Sequence, residues 1–303
     1  MMGVWTLFTG IAAFPLTPTT EAGIDERAFT GLVTRMVAAG VDSVGALGST
    51  GSYAYLSPAE RQQVARLAVE AAGSTPVIVG IGALRTREVR RYAEDAQRAG
   101  AAAVLLAPMS YQALTPEEVY GLYETVTAEL SVPLCVYDNP GTTHFAFTDD
   151  LYARIARLPG VRSIKIPGVP VDPVAAAERV RALRSRLPAE IALGVSGDPF
   201  AATGLAAGCD LWYSVLAGVL PVPCIALTRA AQSGDTATAA ALSGRLEPLW
   251  SVFRSHGSLR TVAAIAESLG LVSTPNLPAP VRGLPADARE AVAAALATLH
   301  DLA

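Results

Sequence analysis

Eight short apolar runs, separated by amphipathic stretches of helical length, constrain this chain more than any other feature. They are WTLFTGIAA (5–13), SVGALG (43–48), PVIVGIG (76–82), AAVLLAP (102–108), PLCVYDNP (133–140), VRSIKIP (161–167), EIALGVSGD (190–198) and DLWYSV (210–215). Each is nearly continuous rather than alternating, as expected of parallel strands covered on both faces. The intervening stretches carry helix signals. Ser57-Pro58 and Thr115-Pro116 each place a capping residue before a proline at the first helical position, and Glu118 can close a capping box. Thr86 and Thr148 are further candidate caps. Gly40, Gly100 and Gly208 each stop a helix directly before a strand. A strand–helix unit repeated eight times predicts an α/β fold, a (β/α)8 TIM barrel over residues 1–220 that carries the active site. Residues 221–303 read as C-terminal helices packed on the barrel, so that the chain is a single structural unit.

Composition supports a large core: 51% of the 303 residues are apolar and only 17% are charged. The net charge of −4 leaves no electrostatic footprint for nucleic acid or an anionic membrane. Cys135, Cys209 and Cys224 form no CxxC or metal-type spacing and read as buried free thiols in a reducing compartment. The apolar start, MMGVWTLFTGIAAFP, lacks the basic region of a signal peptide and reads as a first buried strand, so a cytoplasmic protein is expected. His144, His256 and His300 have no carboxylate or cysteine clustering around them, and no metal is expected. Arg179, Arg181, Arg184 and Arg186 read as a solvated helix face. No cofactor is implied. There is no GK[ST] loop, Ser196 has no GxSxG elbow, and the phosphate-binding context of a pyridoxal enzyme is missing.

The chain contains one lysine, Lys165, against 22 arginines. It lies near the end of the sixth run, flanked by Ile164, Ile166 and Pro167. Catalytic groups of such barrels sit at the C-terminal ends of strands. Apolar surroundings disfavour an ammonium and favour the neutral amine, which can attack a carbonyl to form a Schiff base. Arginine cannot do this, because a guanidinium stays protonated. Two further stretches fall at strand ends. In LGSTGSY (47–53), Ser49 and Thr50 sit between Gly48 and Gly51, a carboxylate-sized cradle of hydroxyls and amides, although a plain turn would read the same. In VYDNPG (136–141), Tyr137 precedes an Asn139-Pro140-Gly141 turn. It can relay protons to a substrate held on the lysine, or it can be a core residue. Together the three suit a 2-oxo acid such as pyruvate.

GSTGS, YDNP and IKIPG, in this order and spacing, resemble the G-[ST]-T-G-E, Y-N-x-P and strand-lysine motifs of the dihydrodipicolinate synthase / N-acetylneuraminate lyase family, from about residue 5 to the C-terminus. The resemblance implies Lys165 as the Schiff-base residue and Tyr137 as proton donor and acceptor. It implies Ser49 and Thr50 as relay and carboxylate hydroxyls, and a homotetramer built as a dimer of dimers. GVSGD (194–198) resembles the family's substrate loop, with Gly197 and Asp198 as candidates. Departures accompany these matches. The synthase branch has an arginine two residues after the proline of Y-N-x-P, where this chain has Thr142, and the glutamate of G-[ST]-T-G-E is Ser52. The family's aromatic pair after the fourth strand is reduced to PMSY, with Tyr111 as candidate for a relay between subunits. Trp212 and Tyr213 are expected to narrow the pocket.

Three readings follow. The first is a Schiff-base lyase or aldolase acting on pyruvate or a related 2-oxo acid, of the 2-keto-3-deoxy sugar acid type. The second is dihydrodipicolinate synthase proper. The third is a non-catalytic 2-oxo-acid-binding barrel. The partner in each case is a small molecule.

Overall fold

The computed structural model describes residues 7–299. All eight apolar runs contain a strand: β1 (Gly10–Ala13), β2 (Ser43–Ala46), β3 (Val77–Gly80), β4 (Ala103–Leu106), β5 (Leu134–Tyr137), β6 (Val161–Ile166), β7 (Ala192–Val195) and β8 (Leu211–Ser214). They pair in parallel in chain order, and β8 returns to β1, closing a (β/α)8 TIM barrel. Residues 5 and 6 of the first run, and His300, lie outside the described residues.

Two-residue periodicity sorts each strand between two cores. Ala12, Phe14, Ile78, Leu105, Cys135, Tyr137, Leu211 and Tyr213 share a core within the barrel, whereas Ile11, Val79, Val136, Ile164, Ile166 and Trp212 belong to the layer under the helices. Both sides are apolar, which is why the runs do not alternate in polarity.

Helices α1 (Glu26–Ala39), α2 (Pro58–Ala72), α3 (Thr86–Ala99), α4 (Pro116–Thr127), α5 (Asp149–Ile155), α6 (Pro173–Arg184), α7 (Ala201–Ala206) and α8 (Pro221–Gln232) follow the strands. Phe29, Leu32, Val33 and Met36 recur at helical spacing and bury one stripe of α1. Ser57 and Thr115 cap α2 and α4 in complete capping boxes with Glu60 and Glu118, and Thr148 caps α5. Thr86 is not a cap. It is the first helical residue, and Arg85 holds the cap position without a side-chain bond. Gly40 and Gly100 take left-handed backbone at helix ends, where a side chain would be strained. An unanticipated two-stranded ribbon, Thr19–Thr20 with Gly23–Ile24, follows β1.

Of the arginines on and just after α6, Arg181 and Arg186 are exposed as a solvated face requires, and Arg179 and Arg184 are half-buried. Arg179 forks onto Asp149 at 2.7 and 2.8 Å, and Arg184 and Arg186 pair with Asp210 and Asp150. After α8, which packs on β1 and α1 as the eighth helix of the ring, come α9 (Thr236–Arg245), α10 (Glu247–His256), α11 (Ser258–Ser268) and α12 (Ala286–Ala297). Among the described residues, no helix is long and apolar enough to cross a membrane. Cys135, Cys209 and Cys224 are buried and unpaired.

Candidate active site

Lys165 lies on the inner side of β6 and is 3% exposed. Three aromatic faces wall its amine: Nζ stands 4.2 Å from the ring centre of Phe14, 4.1 Å from Tyr137 and 5.4 Å from Tyr213. The placement follows from register. Lys165 pairs with Tyr137 of β5 on one side and with Gly194 of β7 on the other. A Cβ on Gly194 would come within 2.3 Å of the Tyr213 ring, so glycine there makes room for the third aromatic wall. Beneath the lysine, the Tyr213 hydroxyl bonds Ser163 Oγ at 2.7 Å and Cys135 Sγ at 3.1 Å. Burial pushes the Cys135 thiol up to about 11, so this layer is a packed floor and not a second nucleophile.

The turn after β2 brings up the hydroxyls. Ser49 Oγ lies 3.1 Å from the Tyr137 hydroxyl, and Asn139 Nδ2 donates to both, at 3.0 Å to Ser49 and 2.9 Å to Tyr137. Asn139 therefore does more than shape the turn. It fixes the phenol and the serine against each other across some ninety residues of sequence (|i−j| = 90). The turn itself is tight. Leu47 and Ser52 both take left-handed backbone, and a Cβ on Gly80 of β3 would stand 1.9 Å from the Leu47 carbonyl oxygen. Gly48 lies over Phe14, where a Cβ would come within 2.7 Å of the ring, and Gly51 packs back on Leu47. These glycines shape the loop that presents Ser49 and the buried Thr50 to the cavity.

A cavity of about 500 Å³ opens above Lys165. Its lining includes Ser49, Thr50, Tyr137, Asn139, Thr142, Gly197, Asp198 and Tyr213, together with Arg254 and the stretch from Gly257 to Arg260 at the α10–α11 junction. A single buried amine beside a phenol, with hydroxyls at hand and room for more than a three-carbon acid, suits carbonyl condensation through an imine.

The sequence model of the Dihydrodipicolinate synthetase family matches residues 7–299. The chain belongs to this family. The 4-hydroxy-tetrahydrodipicolinate synthase of Phenylobacterium zucineum (strain HLK1) is 33% identical over 270 residues, 88% of this chain and 89% of the relative. That of Methylococcus capsulatus (strain ATCC 33009 / NCIMB 11132 / Bath) is 33% identical over 285 residues, 94% of this chain and 95% of the relative. The solved structure described as dihydrodipicolinate synthase from Agrobacterium tumefaciens str. C58 superimposes with a TM-score of 0.93 at 44% identity, covering 97% of this chain and 99% of that one. As a dihydrodipicolinate synthetase family member, the chain is an enzyme of the lysine Schiff-base lyase class.

The family's motifs converge here, but three residues sit differently from what the sequence suggests. Tyr111 is 91% exposed and does not line this chain's cavity. Trp212 is fully buried under the helices, so of the pair on β8 only Tyr213 narrows the pocket. Asp198 lines the cavity but spends both oxygens inside the protein, accepting from Ser214 Oγ at 2.8 Å and from the Val215 and Leu216 amides at 3.1 Å. Burial raises its carboxyl, and the bonds from Ser214, Leu216 and Val215 oppose that shift. Asp198 thus ties the loop after β7 to the end of β8. The contribution of α10 and α11 carried no motif and was not foreseen.

Proposed function

We propose that this chain condenses pyruvate, held as a Schiff base on Lys165, with an aldehyde, the type of reaction named for its 4-hydroxy-tetrahydrodipicolinate synthase relatives. The observation that carries the reading is the Lys165 amine 4.1 Å from the ring of Tyr137, whose hydroxyl is bonded to Ser49 and Asn139 within one cavity. The neutral amine adds to the C2 carbonyl of pyruvate, and the carbinolamine loses water to give the iminium. Loss of a C3 proton yields the enamine. Its C3 attacks the aldehyde carbon, the carbonyl oxygen takes up a proton, and water releases the product from the regenerated amine. Tyr137 passes these protons with Ser49 as its relay, and Thr50 with the Gly48–Gly51 backbone takes the pyruvate carboxylate. Tyr111, exposed on this chain, serves from a neighbouring copy in a homotetramer.

The relatives' names favour condensation over cleavage of a 2-keto-3-deoxy sugar acid. Thr142 favours the cleavage reading, because it lines the cavity where the synthase pattern has an arginine. Borohydride reduction in the presence of pyruvate, followed by mass spectrometry, tests the mechanism: one pyruvyl adduct is expected, on the peptide carrying Lys165. Absence of an adduct rejects it. Pyruvate consumption with aspartate semialdehyde, against pyruvate release from sugar acids, separates the two directions.

A further inference from the structure

Four charged side chains line the cavity: Lys165, Asp198, Arg254 and Arg260. Three are committed. Lys165 is the amine of the proposed chemistry. Asp198 is spent on Ser214, Val215 and Leu216, and Arg254 pairs with Glu247. Arg260 differs. Its Nε donates to the Arg282 carbonyl at 3.1 Å, which orients the side chain, and among the described residues it has no ion pair. The two terminal nitrogens remain as a planar fork at the cavity wall, and such a fork matches a carboxylate in bidentate fashion. Arg260 also belongs to the first turn of α11, which contains no acidic residue to neutralise it.

The cavity poses a matching requirement. Pyruvate fills a small part of about 500 Å³, and whatever joins its C3 must occupy the rest. On the barrel side, the position two residues after Pro140 is Thr142, whose hydroxyl is directed to the Asn139 carbonyl at 3.4 Å and offers no positive charge. The remaining positive charge comes from the C-terminal helices.

We propose that Arg260 is the specificity residue that binds a second carboxylate, carried at the far end of the group joined to C3 of the lysine-bound 2-oxo acid. The acceptor anchor thereby sits on the α10–α11 junction and not on the turn after β5. The substrate class is a 2-oxo acid with an ω-carboxylate, or the carboxylate-bearing aldehyde that forms it. The inference rests on Lys165 forming the Schiff base.

The test compares 2-oxoadipate with 2-oxohexanoate, the same chain length without the second charge, and uses pyruvate as reference. The concentration giving half-maximal borohydride trapping on Lys165 is read from intact mass. The chain's single lysine makes the assignment direct, and for that reason Arg260 is not replaced by lysine. The wild-type protein is expected to trap 2-oxoadipate at about tenfold lower concentration than 2-oxohexanoate, the size of one charge-assisted hydrogen-bonded contact. Arg260→Met, which keeps the aliphatic stem, should bring the ratio close to one. Arg254→Ala should retain most of the preference. Pyruvate trapping without any preference for 2-oxoadipate overturns the inference while leaving the Schiff-base reading intact. A preference that survives Arg260→Met overturns it too. Failure to trap pyruvate at all rejects the Schiff-base reading, and the inference with it.

Discussion

Tyr137 and Lys165 are directly paired across adjacent parallel strands, and this register brings the phenol ring to 4.1 Å from the lysine nitrogen. A shift of one residue in either strand would turn one of the two side chains toward the helices. Strand pairing, more than loop conformation, therefore holds the amine and its proton-transfer partner together.

Lys165→Arg should abolish pyruvate trapping and lower turnover by more than about a thousandfold, since a guanidinium cannot form the imine. Circular dichroism should show the barrel retained. Turnover within tenfold of wild type would mean that the chemistry does not run through this side chain.

Tyr137→Phe keeps the ring against Lys165 but removes the hydroxyl that meets Ser49 and Asn139. A drop of about a hundredfold or more in kcat is expected, with a smaller change in KM for pyruvate. Ser49→Ala should cost less. In the double variant the two losses should fall short of additive, because both act on one hydrogen-bonded unit. Additive losses would separate serine from tyrosine functionally.

Asp138 offers a pH-dependent test of stability. Burial pushes its carboxyl from 3.8 up to about 6, against the opposing hydrogen bond from Tyr152 and the charge of Arg179. One oxygen accepts from the Tyr152 hydroxyl and the other has no partner. A raised folded-state pKa means that this group's stabilising contribution is complete below about 4 and is lost as pH rises through about 6. Asp138→Asn, the residue of the Y-N-x-P pattern at this place, should therefore melt higher than wild type at pH 8. The gap should close as pH falls from 6 to 4. Equal gaps at pH 4 and pH 8 would contradict the burial argument.

Gly80→Ala probes the turn that presents Ser49. The added methyl would stand 1.9 Å from the Leu47 carbonyl oxygen, and backbone on both sides leaves little to yield. Destabilisation of about 3 kcal/mol is expected from overpacking of this kind. At temperatures where the variant stays folded, its kcat should fall as the Leu47–Ser52 turn moves. A melting temperature like that of wild type would show the turn to be compliant.

Residue order by itself determined the repeated strand–helix pattern, the unique lysine at a strand end, and the hydroxyl and tyrosine motifs in family order. These are local or compositional properties: apolar runs, cap–proline pairs and glycine stops depend on residues a few places apart. Closure of the barrel decided the rest. Ser49 and Asn139 meet over 90 residues, so the donor role of Asn139 depended on strands that sequence periodicity cannot align in space. Trp212 and Tyr213 are equally bulky neighbours, and only the parity of β8 sends one under the helices and the other into the site. Arg260 looks like any helix arginine until α11 is laid against the barrel mouth. Tyr111 shows the converse, because its motif position suggested the site while the fold of this chain leaves it exposed. Sequence patterns report short-range preference. Long-range register and packing choose which of the compatible side chains face one another.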